Sequence, residues 1–155
     1  MLSLVCRLFL ILLGVTGAAS VSAAPATVIF GGDLNYPPYE WREDGKAKGF
    51  LIDLEDALAR AGNARAEHRL RPWPETVAGL RKGHVDVVPM FQSDEREVDF
   101  WFSKSVFFSN HAIFTAEDPG GVSDVSALDG WRVAVEHSSF AHDQLLAANW
   151  SGNLV

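Results

Sequence analysis

Between residues 27 and 90, short β-prone runs alternate with stretches whose apolar residues recur at helical spacing, and that order admits few folds. TVIF at 27–30 is a first strand, ended by Gly31-Gly32, and Pro37-Pro38 forces the chain onto an extended, exposed path. Glu43-Asp44-Gly45-Lys46 is a turn. Phe50, Leu51, Leu54, Ala57, Leu58 and Ala61 then predict a helix that Gly62-Asn63 closes. EHRLR at 67–71 alternates weakly and reads as a second strand. Pro74 suits the start of a second helix, with Val77, Ala78 and Leu80 inward and Lys82-Gly83 at its end. VDVVPM at 85–90 is a third strand. The order β-α-β-α-β predicts an α/β fold, a mostly parallel sheet with helices against its faces.

The second half is less regular. SDEREVD is a charged loop, and the β-prone run SVFFSNHAIFT at 105–115 is expected to be extended. The acidic, glycine-rich stretch 117–123 suits an element boundary. WRVAV at 131–135 reads as a strand, and Ser138-Ser139 precede a helix to about Ala148. NWSGNLV carries no stop signal. The pattern predicts a complete first β/α group and an unfinished second one.

Ahead of these elements lies MLSLVCRLFLILLGVTGAASVSAAPA. Arg7, the apolar run 8–15 and the small residues Val21-Ser22-Ala23 predict a cleaved secretory signal peptide over residues 1–23, too short and wrongly flanked for a membrane span. Cys6 is the sole cysteine, so beyond the signal no internal disulfide can form and the fold must rest on its core. The chain has 20 acidic and 13 basic residues, a net charge of -7. That balance argues against nucleic acid or an anionic membrane surface as partner, while leaving room for a small anion held by one placed arginine.

Arg96 is the foremost candidate for such a role. It follows VDVVPM, and open α/β sheets bind ligands at the carboxyl ends of their strands. A guanidinium there can grip a carboxylate through two parallel hydrogen bonds. The same stretch also suits a solvated turn in which Asp94, Glu95 and Glu97 pair with Arg96, and spacing does not choose between these readings. Asp33, Tyr36 and Tyr39 stand at the matching end of the first strand, where an acid can hold an ammonium and a tyrosine can cover an apolar group. They also suit a turn aspartate with tyrosines at the core edge. Ser138 and Ser139 open a helix, which fits an anion site and simple N-capping alike. Asp53 falls at the front of its helix, as a cap or first-turn acid. The five histidines are scattered, and no metal site, catalytic triad, phosphate loop or metalloprotease motif is present, so no metal, cofactor or enzymatic chemistry is expected.

GGDLNYPPYEW, GFLIDLEDAL, GLRKGHVDVVPM, SDEREVDFWFS and WRVAVEHSSFAH, in that order, resemble the bacterial extracellular solute-binding proteins of family 3. These are periplasmic amino-acid-binding proteins and the related sensor domains of membrane receptors, and the sensor type looks closer. The resemblance implies a type II periplasmic-binding-protein clamshell of two lobes, with the ligand in the cleft. It implies a carboxylate-clamping role for Arg96, ligand contacts at Asp33, Tyr36 and Ser139, packing roles for Tyr39 and Phe50, and hydroxyl or amide contacts at Gln92 or Ser93. Serine at 138 stands where the family commonly has glycine. The expected layout is a signal peptide at 1–23, a first lobe at 24–108 lacking its closing return, and a crossover with an incomplete second lobe at 109–155. The implied function is recognition of an amino acid or similar small carboxylate in the periplasm, partnered by a membrane permease or by the receptor's own signalling domain. A non-binding fragment and a dehydratase-like enzyme are the alternatives.

Overall fold

A computed structural model of the chain describes residues 24–116, 122, 124–148, 150 and 153–154. The expected signal peptide at 1–23 and most of the expected boundary at 117–123 lie outside the described residues.

Strand β1 (Ala26–Asp33) runs three residues beyond Phe30, through both glycines, and pairs in parallel with a later strand, Ala64–Arg71. Between them the chain makes a small antiparallel sheet: β2 (Asn35–Tyr36), β3 (Glu40–Glu43) and β4 (Lys46–Lys48). The proline pair is therefore no open path; a cis Pro37-Pro38 peptide turns β2 into β3, where Tyr36 faces Glu40. Asp44 and Gly45 both have positive φ (51° and 76°), the two-residue turn that suits a tight hairpin. Helix α1 (Phe50–Ala61) follows, then β5 (Ala64–Arg71), whose register runs from Ala26↔Ala64 to Asp33↔Arg71.

Helix α2 (Trp73–Arg81) brings the chain back to the free edge of β1. The expected strand VDVVPM is not formed. A single parallel bridge joins Phe30 and Val87, supported by Gly31 N–H to Val87 O at 2.8 Å and Asp86 N–H to Ile29 O at 2.8 Å. The reason is local: the Asp86 carboxylate accepts the Ile29 N–H at 2.8 Å, taking a donor that a neighbouring strand's carbonyl would use. Pro89 then has no N–H to continue a ladder.

Phe30, Leu51, Ile52, Ala59, Leu70, Trp73, Val77 and Val85 form the core of this half. The buried face of α1 is rotated from the expected one: Leu51, Ile52, Glu55 and Ala59 point inward, while Phe50 and Leu58 are half exposed. Gly31 packs β1 against α2 and the 85–88 segment, because a Cβ there would lie 2.9 Å from Val85 and 3.2 Å from Thr76. Thr76 also donates its hydroxyl to Gly32 O at 2.8 Å, fixing α2 to β1.

A single helical turn, α3 (Asp94–Glu97), is capped by Ser93. The expected extended run at 105–115 forms no strand, since no neighbouring strand among the described residues pairs with its backbone. It crosses the first half through side chains: Phe107 stacks on Tyr39, and Ser109 hydrogen-bonds the Tyr39 hydroxyl at 3.3 Å. A 3₁₀ turn (Val125–Leu128), β6 (Arg132–Val133), α4 (Phe140–Ala147) and β7 (Asn153–Leu154) make a second β-α-β unit, with β6 and β7 parallel.

Candidate functional site

Ser93 ends an extended approach and accepts the Arg96 N–H at 3.4 Å, which folds SDERE into the turn of α3. That turn sends Arg96 inward, where it is only 8% exposed. Its guanidinium pairs with none of its acidic neighbours. Nε and one terminal nitrogen donate to Asp143 Oδ2 at 3.1 and 2.9 Å. The same terminal nitrogen donates to Ser138 O at 3.2 Å, and the other donates to Phe91 O at 3.1 Å. The rings of Trp73 and Phe140 lie 5.9 Å from the guanidinium carbon. A cavity of about 150 Å³ opens beside this group, bordered by Val77, Arg81, Glu95, Phe100, Ser138 and Asp143.

Asp33 ends β1, buried, and the hairpin shapes its surroundings. Its backbone N–H donates to Glu40 Oε1 at 2.7 Å, and its Oδ1 accepts the Asn35 N–H at 2.7 Å. Glu136, just after the β6 segment, reaches the same place from the second half. Burial, then the charge and hydrogen bond of Asp33, raise the Glu136 pKa above its ordinary value. The Tyr36 phenol is also raised, by burial and then by Tyr39, Glu136, Glu40 and Asp33. Tyr36 stacks on Tyr39 with ring centres 5.0 Å apart. The result is an acid-rich corner with an aromatic wall, where a bound ammonium or guanidinium would draw the carboxyls back towards their charged form.

The structure thus brings Asp33 and Tyr36 together, and sets Arg96 in a separate group with Ser138. The remaining candidates have local partners. Gln92 hydrogen-bonds Glu97, and Ser93 caps α3. Ser139 caps α4, accepting the His142 N–H at 3.2 Å. Ser138 takes the left-handed conformation (φ 61°) that favours glycine, and its carbonyl accepts from both Arg96 and Trp73 Nε1, the latter at 2.7 Å. Sequence reasoning placed none of Glu136, Asp143 and Trp73 in the binding site. Glu136 carries the same signal as Asp33, an acid just past a strand. Asp143 lies 47 residues from Arg96 with no local pattern linking them. Among the described residues, no group of three or more His, Cys, Asp or Glu side chains is arranged to hold a metal ion.

A β-α-β lobe joined through its cleft residues to a second β-α-β unit is the type II periplasmic-binding-protein architecture. The model of the bacterial extracellular solute-binding proteins, family 3, matches residues 28–148, and the chain belongs to that family. It is 27% identical over 119 residues to the arginine-binding extracellular protein ArtP of Bacillus subtilis, an overlap of 76% of this chain and 46% of that one. It is 31% identical over 94 residues to a probable histidine-binding protein of Neisseria gonorrhoeae, covering 58% of this chain and 35% of the relative. Among solved structures, a histidine kinase sensor domain with similarity to periplasmic binding proteins is 28% identical with a TM-score of 0.68, over 85% of this chain and 60% of that one. The chain spans less than half the length of these curated relatives.

Proposed function

We propose that the protein is a periplasmic solute-recognition protein, a binder rather than an enzyme, whose ligand is an amino acid or a similar small carboxylate. The carrying observation is Arg96: a buried guanidinium, held in orientation by two backbone carbonyls, that already grips a carboxylate beside a cavity. In this reading Arg96 takes the ligand carboxylate, Asp33 its ammonium, and Tyr36 covers its apolar part. Gln92, Ser93 and Ser139 are assigned polar contacts to the ligand by the family resemblance, to be made at the expense of their present local bonds. Residues 24–108 form the first lobe and 109–155 the crossover and second lobe. Ligand binding closes the two lobes, a hinge motion that shifts an existing equilibrium.

The corner of Asp33, Glu136 and Tyr36 favours a ligand with a second positive charge, in keeping with relatives named as binding arginine, histidine or lysine/arginine/ornithine. Signal sensing, with the partner being the receptor's own membrane-linked signalling domain, is favoured by the likeness to a kinase sensor domain. Delivery to a membrane permease is the second reading, favoured by the amino-acid-binding relatives. Calorimetric titration of the full chain with the common amino acids is the test. A hit is expected among the cationic ones, and Arg96→Ala is expected to weaken it by roughly 2–5 kcal/mol, the cost of truncating one partner of a buried charge pair. Unchanged affinity in that variant removes Arg96 from the site.

A further inference from the structure

Arg96 has five N–H groups, and four of them are engaged by Asp143, Ser138 and Phe91. The bonds differ in kind. Those to Ser138 O and Phe91 O are to backbone and fix the plane of the guanidinium. Those from Nε and the adjacent terminal nitrogen form the edge that a carboxylate recognises, and both converge on one oxygen, Asp143 Oδ2. Asp143 Oδ1 makes no second parallel bond to Arg96; the His142 Nδ1 atom lies 3.8 Å from it. A two-oxygen, fork-to-fork grip is stronger than this one-oxygen contact.

The two partners are also unequally held. The Arg96 side chain is 9% exposed and flanked by Trp73 and Phe140, whereas Asp143 is 28% exposed on a helix surface at the border of the 150 Å³ cavity. Rotation about its own side-chain bonds removes Asp143 without moving Arg96. A bare guanidinium left in that burial is costly, so the vacated edge draws in another anion.

We propose that Asp143 is a built-in surrogate for the ligand's carboxylate, occupying Arg96 in the ligand-free protein and setting the affinity that an outside carboxylate must exceed. The inference rests on the reading of Arg96 as the carboxylate clamp. A competing internal partner multiplies the apparent affinity by the fraction of time it leaves the site open, so the rarer the opening, the weaker the apparent binding. It also lets the second unit dock on the first before any ligand arrives, since Asp143 rides on α4 and Arg96 on α3.

The test uses acetate as a bare carboxylate probe on the full chain, read by the NMR signal of the Arg96 Nε–H. In the wild-type protein that signal is expected to resist acetate. In Asp143→Ala, at a helix site where alanine is the best former, the signal is expected to titrate with a midpoint at least about tenfold lower. Asp143→Asn, equal in size and uncharged, is expected to fall between, which keeps the test valid if the alanine variant unfolds. Equal midpoints in all three, or weaker binding in the variants, overturn the surrogate role while leaving the clamp intact. Acetate moving the signal in none of them overturns both the surrogate and the clamp.

Discussion

Ser138 holds a backbone conformation that costs a non-glycine residue roughly 1–2 kcal/mol. What keeps it there is its carbonyl, which accepts from Arg96 and from the Trp73 indole. Its hydroxyl contributes only an exposed contact to His137 Nδ1 at 3.0 Å. Ser138→Gly keeps the carbonyl and relieves the strain, but gains unfolded-chain entropy worth about 0.4–1 kcal/mol. The balance predicts a net stabilisation of roughly 0.5–1 kcal/mol, read as a raised midpoint in urea; a lowered midpoint means that the hydroxyl carries more than its exposure suggests. The unusual serine was legible in the sequence, through the glycine common at this place in the family. Its two donors were not, because Arg96 and Trp73 lie 42 and 65 residues away. The same holds at Arg96: its position after VDVVPM was legible, whereas its burial against Asp143 depends on how α4 docks.

On helix α1, Glu55 takes a place on the buried face where an apolar residue is expected. Burial, followed by the charges of Glu40 and Asp56, raises its pKa from 4.5 to about 8, and burial raises Glu40 to about 7. His68 on β5 meets Glu55 at Nδ1 and Asp56 at Nε2, each at 2.9 Å. The ring thus bridges the two carboxyls, while Glu55 Oε1 is buried with no hydrogen-bond partner among the described residues. Both carboxyls bind protons more tightly folded than unfolded. Their effect therefore favours the folded state most at low pH and is lost as pH rises from about 4.5 through about 8. The melting temperature is expected to rise as pH falls from 8.5 to 5.5. Glu55→Gln, whose amide can donate as the protonated acid does, is expected to flatten the upper part of that slope and to melt no lower than wild type at pH 8.5. An unchanged slope in this variant assigns the pH dependence elsewhere. Helical periodicity located α1 to within a residue but misjudged its face, since counting apolar residues cannot show that a glutamate is buried by a histidine on the next strand. The hairpin β2–β4 was missed for a related reason: its strands are two to four residues long, and the proline pair between them reads as a break.

Across the whole molecule, regular structure and burial are unevenly shared. The eight-residue pairing of β1 with β5 is flanked by α1 and α2, and these four elements together carry most of the buried apolar side chains. Residues 101–116 have no helix or strand, and Trp101, Phe108 and Phe114 stand almost fully exposed. The second β-α-β unit has Leu128 and Leu145 as its own buried apolar residues, and is tied to the first by polar and ring contacts: Arg96 to Asp143 and Ser138, Trp73 to Ser138, Phe91 to His111 and Phe140. Such a molecule opens in parts rather than at once. Amide hydrogen exchange is expected to be slowest in β1, β5 and α1, fast throughout 101–116, and intermediate in α4. Because Arg96 supplies the hydrogen bonds that hold Asp143 of α4, Arg96→Ala is expected to speed exchange at 140–147 by about tenfold or more while leaving β1 and β5 at their wild-type rates. Equal acceleration everywhere means that the two units unfold as one, and that the contacts at Arg96 belong to a single cooperative core. Acceleration confined to α4 means that the second unit swings on a stable first one, as a lobe that closes over a ligand must.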